Sequence, residues 1–167
     1  MKPLTIIALL AAMFATAASA QSLVERAARD EVAHMASEEP AMLEAFSKAR
    51  ATLDDFLQKA AKPREGTSNY ALKVAVSDGR NTEYFWVHRF AGNGDQFSGH
   101  LGNEPRIVKR YKFDERFTFN RAQIVDWTYV DQSANAMLGN FTACALLTKE
   151  TAANAEAFKR RYGFKCS

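Results

Sequence analysis

Residues 70 to 90 read Tyr-Ala-Leu-Lys-Val-Ala-Val-Ser-Asp-Gly-Arg-Asn-Thr-Glu-Tyr-Phe-Trp-Val-His-Arg-Phe. Tyr70, Leu72, Val74 and Val76 alternate with Ala71, Lys73, Ala75 and Ser77, the period of a strand. Asp78-Gly79-Arg80-Asn81 supplies turn residues, and Thr82 to Phe90 is again rich in strand formers. Two such runs about a short Asp-Gly turn predict a β-hairpin. Gly92-Asn93-Gly94-Asp95 predicts a second turn and Phe97 to Leu101 a third strand, so the centre of the chain reads as an antiparallel meander. Phe85-Trp86-Val87 is apolar on both faces, which suits a central strand covered by a helix on one side. If a side were left open, Tyr84 and Trp86 would form an exposed aromatic patch of the kind that marks binding surfaces.

Toward the N-terminus, Pro40 to Ala61 has helical spacing: Met42, Phe46, Ala49, Leu53, Phe56 or Leu57, and Ala60 recur every three or four residues. Glu38, Glu39 and Pro40 suit a helix start, and Lys62-Pro63 ends it. A short strand is expected at Glu31 to Met35. Toward the C-terminus, Gly102-Asn103-Glu104-Pro105 breaks the meander, and Arg106 to Tyr111 is expected as a helical turn. Arg116 to Phe119 and Ile124 to Val130 read as a further pair of strands. Ala134 to Lys149, rich in Ala, Leu and Met, predicts a helix, and so does Thr151 to Arg161 with Gly163 as its stop. The expected class is α+β: an antiparallel meander sheet packed by one long N-terminal helix, with shorter C-terminal helices.

Residues 1–20 read as a cleavable secretory leader. Lys2 precedes an apolar run from Leu4 to Ala17, and Ala18-Ser19-Ala20 places cleavage between Ala20 and Gln21. The run is shorter than the roughly 20 residues of a spanning helix, and no later segment could span, so no membrane span is expected in the mature chain. Residues 21–30 read as a spacer and 31–167 as one domain, large enough for a single core. The chain has 22 basic and 19 acidic residues; loss of Lys2 leaves a net charge of +2, too mild to imply nucleic acid. Export predicts a periplasmic or secreted location, and there Cys144 and Cys166 are expected to bridge.

The order of motifs resembles the bacterial domain-of-unknown-function 2314 family, the YegJ-like proteins. The resemblance rests on Glu39-Pro40-Ala41-Met42 with Ala49-Arg50-Ala51-Thr52-Leu53, Phe85-Trp86-Val87, Gly99-His100-Leu101 with Asn103-Glu104-Pro105, Asp126-Trp127-Thr128-Tyr129-Val130, and Gly139-Asn140-Phe141-Thr142. It covers about 31–147, with 148–167 as a tail pinned by the cysteines. It implies a compact α+β domain with a bent sheet, often exported, and transfers no catalytic residue. The cysteine pair resembles a feature of exported members.

His34, His88 and His100 lie far apart, with none of the close spacing of a metal site, so neither a metal nor another cofactor is expected. Asp126, Trp127 and Tyr129 form the sharpest cluster. A carboxylate beside two rings suits a sugar or peptide, although strand alternation puts Asp126 opposite the rings, which suits packing instead. Arg106 to Arg121 concentrates cations, a solvated face or an anion-binding one. No nucleophile elbow, zinc-protease motif or phosphate loop occurs. The leading reading is a non-enzymatic periplasmic module that binds a protein or envelope component through Tyr84, Trp86, Asp126, Trp127 and Tyr129. Alternatives are a toxin-immunity protein of the envelope and a small envelope hydrolase built on Asp126, His88 or His100.

Overall fold

The structure, a computed structural model, describes residues 37–166. The leader with Ala20 and Gln21, the spacer, the strand expected at Glu31 to Met35, and His34 lie outside the described residues.

Six antiparallel strands form one sheet: β1 (Thr67–Ser77), β2 (Thr82–Asn93), β3 (Gln96–Leu101), β4 (Arg116–Asn120), β5 (Ile124–Asp131) and β6 (Ala136–Gly139). Their order is β4-β3-β2-β1-β5-β6. The hairpin forms where the turn residues dictate. Asp78 Oδ1 accepts the N–H groups of Arg80 at 3.0 Å and Asn81 at 2.9 Å, so the carboxylate replaces backbone partners in the tight turn.

Arg116–Phe119 and Ile124–Val130 are the two further strands expected, and the structure supplies their neighbours. β4 pairs with β3, β5 pairs with β1, and the two do not pair with each other. A 3-10 turn, Arg121–Gln123, joins them; Gln123 Oε1 accepts Asn120 N–H at 2.8 Å, and Gln123 Nε2 donates to Ala75 O at 3.0 Å. Four residue steps reach at most roughly 14 Å. Four strand spacings on a flat sheet would be about 19 Å. The sheet must therefore curl, and the larger core fills its concave side: Leu72, Val74, Phe85, Val87, Phe117 and Trp127 are buried there.

The expected single long helix is two: α1 (Pro40–Ala51) and α2 (Leu53–Ala61). Thr52, at φ −111° and ψ 4°, separates them. Trp127 Nε1 donates to Ala49 O at 3.1 Å and to Thr52 Oγ1 at 3.2 Å. A side chain inserted at the helix carbonyls is a recognised cause of such breaks. α2 places Leu53 and Phe56 in the concave core, whereas Met42, Ala45 and Phe46 of α1 join Val125 and Ala145 in a second cluster. α1 packs against β5, beside the half that β6 leaves unpaired, and shields an edge that would otherwise be open.

Two further expectations fail. Arg106 to Tyr111 is not helical. The N–H groups of Arg106, Ile107 and Val108 donate to the Glu83 carboxylate at 2.8–2.9 Å, which removes the need for a helical turn. Ala134 to Lys149 is not one helix but β6 followed by α3 (Phe141–Leu147). Gly139 at φ +79° and Asn140 at φ +55° turn the chain between them. A Cβ on Gly139 would meet Trp127 O at 2.1 Å, so only glycine fits. The last helix, α4 (Ala152–Tyr162), starts at Thr151, whose side chain accepts Asn154 N–H, and stops at Gly163, φ +72°. It contributes no buried residue. It is tied to the body by the bridge between Met137 and Phe164 and by the Cys144–Cys166 disulfide, Cα atoms 5.6 Å apart.

Candidate functional site

Register decides which candidate residues meet. Lys73 lies opposite both Trp86 and Asp126, Ala71 opposite both His88 and Thr128, and Ala75 opposite Tyr84. Directly paired residues share a face, so Tyr84, Trp86, His88 and Asp126 stand on the convex side. Leu72 pairs with Trp127, which puts Trp127 and Tyr129 on the concave side. The five residues expected to form one binding surface are thus split between two faces. Tyr84 is half-buried with its ring 6.1 Å from that of Phe46. Trp86 is half-buried under the Lys73 ammonium, 5.3 Å from the ring centre.

Asp126 is consumed by structure. Its Oδ1 accepts Trp127 N–H at 2.8 Å and Phe141 N–H at 3.2 Å. Its Oδ2 accepts Thr142 N–H at 2.8 Å and Thr142 Oγ1–H at 2.7 Å. Lys73 Nζ donates to Thr142 Oγ1 at 3.0 Å. The carboxylate thereby satisfies the first turn of α3 and fastens it to the sheet. Burial pushes the Asp126 carboxyl up, against the opposing Lys73 charge and the Thr142 hydrogen bonds; burial pushes Lys73 down, against Asp126. Lysine, hydroxyl and carboxylate in a row have the composition of a nucleophile relay. Thr142 is only 2% exposed, however, so its hydroxyl has no room to attack a substrate.

His88 and His100 are directly paired across β2 and β3, their ring centroids 6.1 Å apart. Asp114 joins them: His88 Nε2 lies 3.2 Å from Asp114 Oδ1, and His100 Nδ1 donates to Asp114 O at 2.9 Å. The Arg89 guanidinium also binds the Asp114 carboxylate and, as the strongest influence, holds it below the usual carboxylate range. Asp126 sits two strands and two residues away from His88, about 12 Å at ordinary strand spacing. The trio of the hydrolase reading therefore does not converge. Among the described residues no group of three or more His, Cys, Asp or Glu is placed to hold a metal ion.

Among the described residues, the concave side carries clefts at two places. One lies between α2 and the β2–β3 hairpin, with Leu57, Phe90 and Phe97 beside the Asp54–Arg121 ion pair of 2.7 Å. The other lies between α2, β5–β6 and α4. Trp127, Tyr129, Phe141 and Phe164 line it, and Lys59, Lys159, Arg160 and Lys165 stand around it against one acid, Glu156. The rings are held by one another: Phe56 stacks on Trp127 at 4.9 Å, Tyr70 on Tyr129 at 5.0 Å, and Phe141 meets Trp127 edge-on at 5.4 Å. Lys59 is anchored by Asp55, which raises its pKa. Of the residues proposed from sequence, this cleft unites Trp127 and Tyr129. Its cations were not foreseen; the run Lys159-Arg160-Arg161 so close to Cys166 was the available signal.

Fold and cleft together define a small α+β domain: a curled antiparallel sheet, a broken helix at its edge, and a C-terminal helix tied down by a disulfide. Residues 39–166 match the family described as "Uncharacterized protein conserved in bacteria (DUF2314)", and the chain belongs to that family. It is 28% identical over 107 residues to "Uncharacterized protein YegJ" of Escherichia coli (strain K12), which covers 64% of this chain and 67% of that protein. No solved structure matches. No helix among the described residues is long and apolar enough to cross a membrane.

Proposed function

We propose that this chain is an exported, non-enzymatic binding module of the bacterial periplasm, and that it takes an acidic segment of a partner protein in the cleft between α2 and α4. The observation that supports this reading is the cleft's composition: an aromatic lining with four cations around it, of which Lys59 is paired with Asp55 and Lys159 with Glu156 at 2.9 Å, so that Arg160 and Lys165 carry the excess positive charge. Rigid rings supply contact area at low entropic cost, and the cations select a partner of opposite sign. The absence of accessible nucleophile geometry at Asp126 and Thr142 favours binding over turnover. The apolar leader and the paired cysteines favour an oxidising compartment.

The test is affinity purification of the tagged mature protein from envelope extracts under mild crosslinking, in parallel with an Arg160→Glu/Lys165→Glu variant. A stoichiometric protein partner should appear with the wild type and be lost with the variant. Recovery of no partner, or of the same partner by both, contradicts the reading.

A further inference from the structure

The two edges of the sheet are finished differently. On the β6 side, Met137 N–H donates to Gly163 O at 2.8 Å and Met137 pairs with Phe164, so the returning tail lies along that strand. At the other edge, β4 has β3 as its one strand neighbour among the described residues. Its register with β3 fixes where each backbone group points. Leu101 N–H donates to Glu115 O at 3.1 Å, and Arg121 N–H donates to Asp95 O at 2.9 Å, one pair at each end of the strand. In an antiparallel ladder every second residue exchanges hydrogen bonds with the neighbouring strand. Phe117 and Phe119 therefore bond toward β3, and Arg116, Thr118 and Asn120 turn their N–H and C=O groups to the outside. Of these groups, the Asn120 N–H is satisfied locally, by Gln123 Oε1 at 2.8 Å.

An edge of this kind is a template for another strand. β4 reads Arg116-Phe117-Thr118-Phe119-Asn120, nearly the same in both directions. Laid antiparallel on a second copy, with a twofold axis through Thr118, it matches like with like. Thr118 meets its own counterpart, Phe117 meets the copy's Phe119, and Arg116 meets the copy's Asn120. The hydrogen-bonding groups match too. Thr118 exchanges N–H and C=O with its counterpart, and Arg116 N–H meets the Asn120 carbonyl. The one N–H that such pairing forgoes is that of Asn120, which Gln123 already holds. Phe117 and Phe119 take the non-hydrogen-bonded positions, where facing side chains approach most closely. They already form an aromatic row with Phe97, with ring centroids 5.3 and 5.9 Å apart, and the row continues across the axis. Arg116 Nη2 donates to Ser98 Oγ of its own sheet at 2.9 Å. The two copies of Arg116 stand four residues apart along the strand, about 14 Å, so no like charges meet. An unrelated strand has no such match to this register.

We propose that β4 pairs with β4 of a second copy of this chain, joining two six-stranded sheets across a twofold axis at Thr118. A contact that uses the same patch on both copies closes at two and leaves no template for further growth. Five residues of edge make a small interface, so the dimer is weak and reversible. The cleft between α2 and α4 lies toward the β6 edge and takes no part.

Sedimentation velocity of the mature protein over a range of concentrations tests this. Monomer should give way to dimer as concentration rises, with no larger species. Thr118→Pro removes an N–H that β3 does not use, a place where an edge strand tolerates proline. It deletes two hydrogen bonds across the axis and should raise the dimer dissociation constant about thirtyfold, while Thr118→Ser should behave as the wild type. Because position 118 faces itself, Thr118→Lys and Thr118→Glu should each suppress the dimer, and an equal mixture of the two should restore it. Loss of folding cannot produce that restoration. Arg160→Glu/Lys165→Glu should dimerise as the wild type does, which separates this edge from the cleft. A monomer at every concentration, including one whose edge takes a strand of another protein instead, a dimer indifferent to position 118, or a mixture that stays monomeric overturns the proposal.

Discussion

Asp126 shows how a residue that looks chemical can be structural. Its two oxygens accept four hydrogen bonds, two from the first turn of α3 and one from a buried hydroxyl that in turn holds Lys73. Removing it strands a buried ammonium and leaves amide donors unmet, so Asp126→Ala should lower stability by about 3–5 kcal/mol. Lys73→Met should be milder, and the double variant should cost less than the sum of the two, since the groups share one network. Denaturant melts of the three variants measure this; strict additivity would refute the coupling. Glu83 carries a pH dependence. Burial acts to raise its carboxyl, but the three N–H donors and Lys109 outweigh that and hold it below the ordinary value. A depressed folded-state pKa contributes stability above the unfolded value of about 4.3, and that contribution is lost as pH falls through the folded value. Glu83→Gln should therefore be less stable at neutral pH and lose less on acidification than the wild type. Equal slopes of stability against pH for the two proteins would contradict the assignment.

At the scale of elements, the hairpin was legible because its causes are local: alternation in Tyr70 to Val76 and the Asp78-Gly79 turn need no distant partner. The break in the long helix was not legible, because the local bond of Thr52 Oγ1 back to Lys48 O at 2.8 Å is joined there by the Trp127 indole, 78 residues from the Ala49 carbonyl that it binds. The Ala134–Lys149 segment misled for the same reason. Alanine and leucine favour a helix locally, but β5 supplies a pairing edge for Ala136–Gly139, and Gly139 then sits flat against Trp127. Gly139→Ala adds both a forced positive φ and a clash with the Trp127 backbone, and should cost at least about 2 kcal/mol. A melt indistinguishable from wild type would mean that the β6–α3 junction is not built as described. The candidate site was half legible. Trp127 and Tyr129 stood out as aromatics and do meet in the cleft. Tyr84, Trp86 and Asp126 went to the other face; alternation had separated Asp126 from the rings, but the face of Tyr84 and Trp86 depends on the register of β2, β1 and β5. The cations Lys159, Arg160 and Lys165 reach the cleft only because the tail folds back, a long-range event invisible in their local spacing.

At the scale of the molecule, the C-terminal helix is the weak partner. α4 has no fully buried residue and is tied down by the Met137–Phe164 bridge and the disulfide across 22 residues. A cross-link of that span contributes about 3 kcal/mol in the chain-entropy model. Cys144→Ser/Cys166→Ser should lower stability by about that amount and should raise amide exchange in Ala152–Tyr162 well above that in β1 and β2. It should also weaken partner binding, since α4 forms one wall of the cleft; unchanged exchange in α4 would argue that packing alone holds it. The family match over residues 39–166 transfers no residue role to this chain, so the decisive evidence must come from the cleft itself. Cross-linking mass spectrometry of the native partner complex is the direct measurement. The proposal predicts cross-links at Lys59, Lys159 and Lys165 to a partner segment rich in Asp and Glu, whereas cross-links confined to lysines elsewhere on the chain would contradict it.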